Sequence, residues 1–121
     1  MTSQEQAVEQ FRAFAENNLG ESVTVGLLPA SGGVVMQIVA GIREFTSLNR
    51  QTRLVSVSLD VLSKFKSQSK AYGGQCELAA LCDSAEWSLP IVDVQAKEPA
   101  FVGKDGEYWI YSLSVSLSIM I

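Results

Sequence analysis

The sequence predicts an α+β fold: a mixed, mostly antiparallel sheet of about five strands with two flanking helices, in the order α-β-β-β-α-β-β. The run from Trp109 to Ile121 alternates apolar residues with serines, and residues 55–61 alternate in the same way. A period of two is typical of a strand with one buried and one polar face. With 121 residues, 47% of them apolar, the chain fits a single domain over residues 1–121.

Helical spacing marks the N-terminal segment. Thr2 and Ser3 precede Glu5 and Gln6, which gives two overlapping capping-box candidates at a helix start. Apolar residues then recur at positions that share one helical face, namely Ala7, Val8, Phe11, Phe14 and Ala15. Because Gly20 follows where a helix would stop, we expect the first helix over Ser3 to Asn18.

Two short strands and a longer one follow. Residues 23–28 form the first strand, and the turn signal at 31–33 predicts a hairpin with residues 34–40. Residues 41–51 lack a regular pattern of apolar and polar residues, so we expect them to form a polar connection. A third strand begins near Arg53, and its face chemistry matches that of the C-terminal strand, so we expect the two to pair.

The second helix lies in the region 71–85, with Gly73 and Gly74 weakening its first turn. Its apolar stripe consists of Ala71, Leu78, Leu81, Cys82 and Ala85. On one helix, Cys76 and Cys82 would be about 9 Å apart between Cα atoms, beyond disulfide reach, so both are expected to stay reduced.

The end of the sequence adds two more strand signals. Residues 91–96 form a strand that ends before Pro99, and residues 104–107 form a hairpin turn into the last strand.

The side chains that enzymes commonly use are scarce. The sequence contains no histidine, which excludes a Ser-His triad, and it contains no glycine-rich phosphate-binding motif. Asp83, Glu86 and Asp93 could supply a carboxylate pair, but solvated charges at helix and strand ends are the favoured interpretation. We therefore expect no enzymatic activity, no cofactor and no metal.

The net charge and the hydropathy of the chain limit the classes of partner that it can have. A formal net charge of −4 argues against a nucleic-acid-binding surface, and no apolar stretch approaches the roughly 20 residues that span a bilayer. No secretory signal is evident, so synthesis in the cytoplasm is expected. Lys64, Lys66 and Lys70 are interpreted as ordinary solubilising residues at the corner before the second helix.

Candidate contact residues lie in two places. In and beside the connection 41–51, arginines flank two apolar residues, which indicates either a solvated loop or an arm that docks on a partner. These residues are Arg43, Phe45, Leu48, Arg50 and Arg53. Ile119 and Ile121 end the C-terminal strand without a charged tail, so we expect this strand to be covered by a neighbouring strand or subunit. Its serine face is either solvent-facing or a close contact surface.

Several of these segments together resemble a known family. The strand-to-helix stretch 53–86, with lysines at its corner, and the hairpin stretch 98–121, with a tyrosine-bearing last strand, resemble the tail terminator and minor capsid (tail completion) proteins of long-tailed bacteriophages. The order of the N-terminal helix, the early strand and the arginine-bearing loop also fits. The resemblance covers nearly the whole chain.

The resemblance implies a structural virion protein of the phage tail. It implies a homo-oligomeric ring, commonly a hexamer, that caps the tail tube, stops tail polymerisation and offers its other face to the head connector. Its partners would be copies of itself, the tube protein and the connector or head completion protein. The alternatives are a tail tube or head–tail connector subunit, or a small cytoplasmic ligand-binding domain that dimerises through its C-terminal strand.

Overall fold

The computed structural model describes residues 2–45 and 53–121. The elements are α1 (Ser3–Leu19), β1 (Val23–Val25), β2 (Gly33–Phe45), β3 (Arg53–Phe65), α2 (Gln68–Ser84), β4 (Ile91–Ala96), β5 (Ala100–Asp105) and β6 (Tyr108–Met120). The predicted α+β class with two helices and a mixed, mostly antiparallel sheet is confirmed. The sheet has six strands because the segment before the last turn forms β5.

The predicted capping box starts α1. The side chain of Thr2 accepts a hydrogen bond from the backbone N–H of Glu5, and the Glu5 carboxylate accepts one from the backbone N–H of Thr2 at 3.2 Å. Gly20 ends the helix in the left-handed conformation, with φ of 68°. Glycine adopts this conformation without steric cost, so the prediction for this helix is confirmed to within one residue.

The strand order of the sheet is β1-β2-β3-β6-β4, and β5 also pairs with β6. β3 and β6 pair antiparallel from Leu54–Met120 to Phe65–Trp109, which confirms the predicted partnership. β4 and β5 lie end to end along the other side of β6. β6 is therefore an interior strand.

The predicted hairpin between the first two strands is wrong, because β1 pairs parallel to β2. After β1 the chain returns through residues 26–32, where the N–H of Gly32 donates to the carbonyl of Pro29 at 3.1 Å. A Cβ atom on Gly32 would lie 2.7 Å from the carbonyl oxygen of Lys64. Only glycine fits this close approach, so the glycine turn serves a return crossover.

The predicted irregular connection at 41–51 is also wrong in its first part. β2 continues to Phe45, which is paired with Arg53. A register shift between Ile38 and Ala40 inserts Val39 as an extra residue. This bulge moves the later residues to the opposite faces, so the period of two is interrupted and the second half of β2 does not look like a strand.

Both helices pack on one face of the sheet. The apolar residues of β3 and β6 point into this layer, where Leu59, Val61, Leu113 and Leu117 are fully buried. Ser56, Ser58 and the serines of β6 face the other way and no described helix covers them, whereas Ser63 is buried on the helix side, where it pairs with Tyr111. The fold is thus a two-layer arrangement with an open, hydroxyl-rich sheet face.

Candidate assembly interface

The C-terminal strand is covered within the subunit itself. β6 has β3 on one side and β4 with β5 on the other. Ile119 is fully buried, so its predicted role as a contact residue between subunits is wrong. Ile121 is partly exposed at the chain end, and the N–H of Met120 donates to the carbonyl of Pro90 at 2.9 Å. Of the two predicted contact residues on this strand, only Ile121 at its tip is accessible.

Among the described residues, most of the exposed large apolar side chains lie at the two edges of the sheet. Interior strand β3 contributes none, and β6 contributes only its last residue. The first edge, formed by β1, the crossover 26–32 and the adjoining part of β2, carries Val25, Leu27, Ile38 and Val39. The second edge, formed by β4 and β5, carries Val92, Phe101 and Val102. Tyr72, Leu89, Met120 and Ile121 are the others.

At the first edge, β1 covers only a short part of β2. It pairs with Val34, Val35 and Met36, and no described strand covers the outer side of β2 beyond that point. A groove of about 280 Å³ runs between α1 and this uncovered segment. Its walls include Val8 and Ile38, with the carboxylates of α1 at its rim. An apolar floor next to an unpaired strand is typical of a surface that receives another chain.

At the second edge, aromatic rings form a continuous group. The ring centroids of Phe101 lie 6.0 Å from Trp109 and 5.5 Å from Tyr111. Tyr72 of α2 lies 5.3 Å from Tyr111, and the ammonium group of Lys104 lies 4.5 Å from the Trp109 centroid. Tyr111 is largely buried and Phe101 is about half exposed. Rings of this kind provide large contact areas at interfaces.

Lys64 does not have the solvated role that the sequence predicted. It lies in β3, is only 4% exposed, and its ammonium group is 2.7 Å from the carboxylate of Asp105. The same group lies 3.5 Å from the carbonyl of Pro29 and 5.2 Å from the centroid of Tyr108. Lys64 therefore ties the crossover after β1 to the β5–β6 turn, across the sheet face opposite the helices. Lys66 and Lys70 are exposed, as expected.

The sequence pattern did not indicate a second buried polar residue, Gln75. Gln75 of α2 is fully buried, and its amide nitrogen donates to the carbonyls of Val61 at 2.8 Å and Tyr111 at 2.9 Å. The amide thus pins α2 to the two central strands. Its position between Ala71 and Leu78 on the apolar stripe could have indicated burial, because a polar residue in such a stripe usually makes internal hydrogen bonds.

The open face of the sheet presents small hydroxyls. Ser56 pairs with Ser118 and Ser58 with Ser116 across β3 and β6. Next to them, Ser114 donates to the carboxylate of Asp60 at 3.1 Å. A shallow groove of about 430 Å³ lies over Ser58, Asp60, Ser114 and Ser116. In the subunit this face is solvent-facing, which is one of the two expected alternatives.

Both cysteines lie on α2 and both are free thiols, as predicted. Burial raises the pKa of Cys82 to about 11, so its thiol stays protonated at neutral pH. Cys76 is partly exposed, and its hydrogen bond with Tyr72 raises the pKa of that phenol.

The other predicted contact residues and the predicted carboxylates lie in several parts of the chain. Arg43 and Phe45 belong to the end of β2, and Arg53 begins β3, while Leu48 and Arg50 lie outside the described residues. Asp83, Glu86 and Asp93 are exposed. Within residues 2–45 and 53–121, no three acidic, cysteine or histidine side chains converge as metal ligands would. No helix in the same ranges is both long enough and apolar enough to cross a membrane.

Comparison with models of known protein families gave no match, and a search of curated proteins gave none either.

Proposed function

We propose that this chain is a structural virion protein that forms a ring on the end of the tail tube of a long-tailed bacteriophage. The ring stops tail polymerisation and provides the attachment surface for the head connector. Its partners are further copies of the chain, the tube protein and the connector. The subunit is assembled in the host cytoplasm and ends in the virion tail.

One structural observation carries the ring part of this proposal. The first and second edges are opposite margins of one sheet, and each carries exposed apolar side chains. Two different surfaces of one subunit that bind each other produce a heterologous contact, and such contacts close into a ring when the rotation allows it. The place of the ring on a phage tail rests on the resemblance of residues 53–86 and 98–121 to tail terminators.

The alternatives differ in how they use the C-terminal strand. A ligand-binding domain that dimerises through this strand needs a free side of β6, and both sides are occupied by β3, β4 and β5. This observation disfavours that alternative. A tail tube or connector subunit would also assemble in rings, and only an assay of tube growth separates these roles from that of a terminator.

The test has two parts. Native mass spectrometry and negative-stain imaging of the purified protein should show a closed ring, with a hexamer as the expected species. Purified tail tube protein should then polymerise to a limited length when the ring is present and continue to grow when it is absent. A protein that remains monomeric at high concentration, or that leaves tube growth unchanged, would contradict the proposal.

A further inference from the structure

We infer that neighbouring copies of this chain join head to tail, with the first edge of one subunit (Val25, Leu27, Ile38 and Val39) against the second edge of the next (Val92, Phe101 and Val102). The partner is a second copy of the chain. The inference deepens the proposed ring and rests on it, since it specifies which surfaces the ring uses.

The strand directions of the sheet suit this contact. β2 is antiparallel to β3, β3 to β6, and β6 to β4 and β5. β1 and β2 therefore run opposite to β4 and β5. A neighbour related by rotation about an axis roughly along the strands keeps its strand directions. The edges that meet are then antiparallel, which is the slightly more stable form of strand pairing.

The two edges also match in level along the strands. Phe101, Tyr111, Ser63, Val34 and Val23 form one cross-strand row, so β5 and β1 occupy the same level. By the same registers, β4 occupies the level of the β2 segment that β1 leaves uncovered. In a ring without axial offset, β1 therefore faces the neighbour's β5, and the uncovered segment of β2 faces its β4.

The spacing between strands indicates how β1 meets the neighbour's β5 and how the uncovered segment of β2 meets the neighbour's β4. β1 lies one strand farther out than β2, and neighbouring strands are about 4.8 Å apart. When β1 pairs with the neighbour's β5, β2 and β4 are left about two strand spacings apart. Two strand spacings, roughly 10 Å, leave the width of one strand between them. Val39 and Val92 are exposed on the two strands that border this gap.

The bulges at these edges do not carry the residues that usually block strand addition. At the two edges, β2, β4 and β5 each have a register shift, and the extra residue is an exposed valine, namely Val39, Val92 and Val102. A bulge by itself blunts an edge, as lysine, proline or an inward-pointing charge does, but an exposed valine at the bulge adds apolar surface to that edge. Three exposed valines indicate edges that become covered.

The experiment compares three variants with the same change in charge. Val25→Lys/Val39→Lys alters the first edge, and Val92→Lys/Val102→Lys alters the second edge. Asn17→Lys/Ala80→Lys is the matched control, because it adds two lysines at exposed positions on α1 and α2, away from both edges. Circular dichroism and thermal unfolding establish that each variant is folded, and native mass spectrometry gives its assembly state.

We expect the control to form the wild-type ring and each edge variant alone to be monomeric. A mixture of the two edge variants should give a one-to-one heterodimer and nothing larger, since each variant retains one intact edge and the pair can make a single contact. If an edge variant fails to fold, the single substitutions Val39→Lys and Val92→Lys are mixed instead.

The outcomes separate this inference from the proposed function. Homodimers of one edge variant alone would show a symmetric contact of like edges and overturn the inference. Rings formed by both edge variants would place the interface elsewhere and overturn it while the ring itself stands. Monomeric wild-type protein would overturn both. A heterodimer from the mixture, with no effect of the wild-type ring on tube growth, would support the inference and reject the terminator role.

Discussion

β6 and β2 have the same length of 13 residues but very different surroundings. β6 is paired on both sides, and its alternating apolar residues are buried while its serines face outward. β2 has β3 on one side and only the short β1 on the other, and a bulge at Val39 interrupts its register. Interior position produces a regular sequence pattern, whereas edge position permits irregularity and exposed apolar residues.

The largest effect should come from the buried face of β6. Leu117 is fully buried and packs in the main core, so Leu117→Ala should lower the free energy of unfolding by about 2–5 kcal/mol. Val39→Ala on the edge strand should change it by less than about 0.5 kcal/mol, because this side chain is 58% exposed. Urea denaturation of both variants tests the comparison, and equal losses would contradict the assigned burial.

The next effect concerns how α2 is fixed to the interior strands. Gln75→Leu removes two hydrogen bonds to the carbonyls of Val61 and Tyr111 while keeping a similar volume, and should cost about 1–3 kcal/mol. Gln68→Leu is a suitable control, because its bond to the Tyr111 hydroxyl is only partly buried. The cost of Gln75→Leu should exceed that of Gln68→Leu. An unchanged unfolding free energy for Gln75→Leu would show that the buried amide does not stabilise the fold.

The two cysteines should differ as sharply as the two strands do. Cys82 is buried with a pKa raised to about 11, whereas Cys76 is partly exposed. At pH 7.5 a thiol reagent should label Cys76 at least tenfold faster than Cys82 in the native protein, and both should react after denaturation. Cys82→Ser should also lower stability by roughly 1–3 kcal/mol, because serine would place a hydroxyl in the core. A disulfide between the two residues in peptide mapping would contradict the helical placement of α2.

The smallest effect should arise where α1 holds edge strand β1. The backbone N–H of Val23 donates to the carboxylate of Glu16 at 3.0 Å, and Arg12 lies 3.3 Å from it. The hydrogen bond from Val23, followed by that from Arg12, holds the pKa of Glu16 below its usual value of 4.5.

The lowered pKa of Glu16 fixes the direction in which stability changes with pH. A carboxylate with a lower pKa in the folded state adds stability above its unfolded pKa and loses it as the pH falls through the folded value. Wild-type protein should therefore be slightly more stable than Glu16→Gln at pH 7, and the difference should shrink as the pH falls below 4.5. Thermal unfolding across this range measures it. A difference that grows in acid would contradict the assigned hydrogen bonds.

The same contrast explains how much of the fold could be predicted from the sequence. The capped helix α1 and the pair of β3 and β6 follow from periodicity, because burial of one face imposes it. The parallel pairing of β1 could not be predicted, since turn residues at 31–33 suit a hairpin as well as a return crossover. The second half of β2 was missed because the bulge at Val39 reverses the alternation.

The candidate interface was predicted less well than the fold. Alternation in β6 showed that this strand must be covered, but not that β3, β4 and β5 of the same subunit cover it. Removing residues from Ser118 onward would delete the buried Ile119 and damage the core, so truncation does not isolate assembly. Which residues lie at the edges depends on which strands end the sheet. The strand order in turn depends on pairing between segments that are far apart in the sequence.

The most direct test of the account is the growth of purified tail tubes with wild-type protein and with Val25→Lys/Val39→Lys at equal concentrations. We predict that wild-type protein forms a ring and limits tube length, and that the folded edge variant remains monomeric and allows tubes to grow as long as they do without any added protein. Tubes of the same unlimited length in the presence of wild-type protein would contradict it.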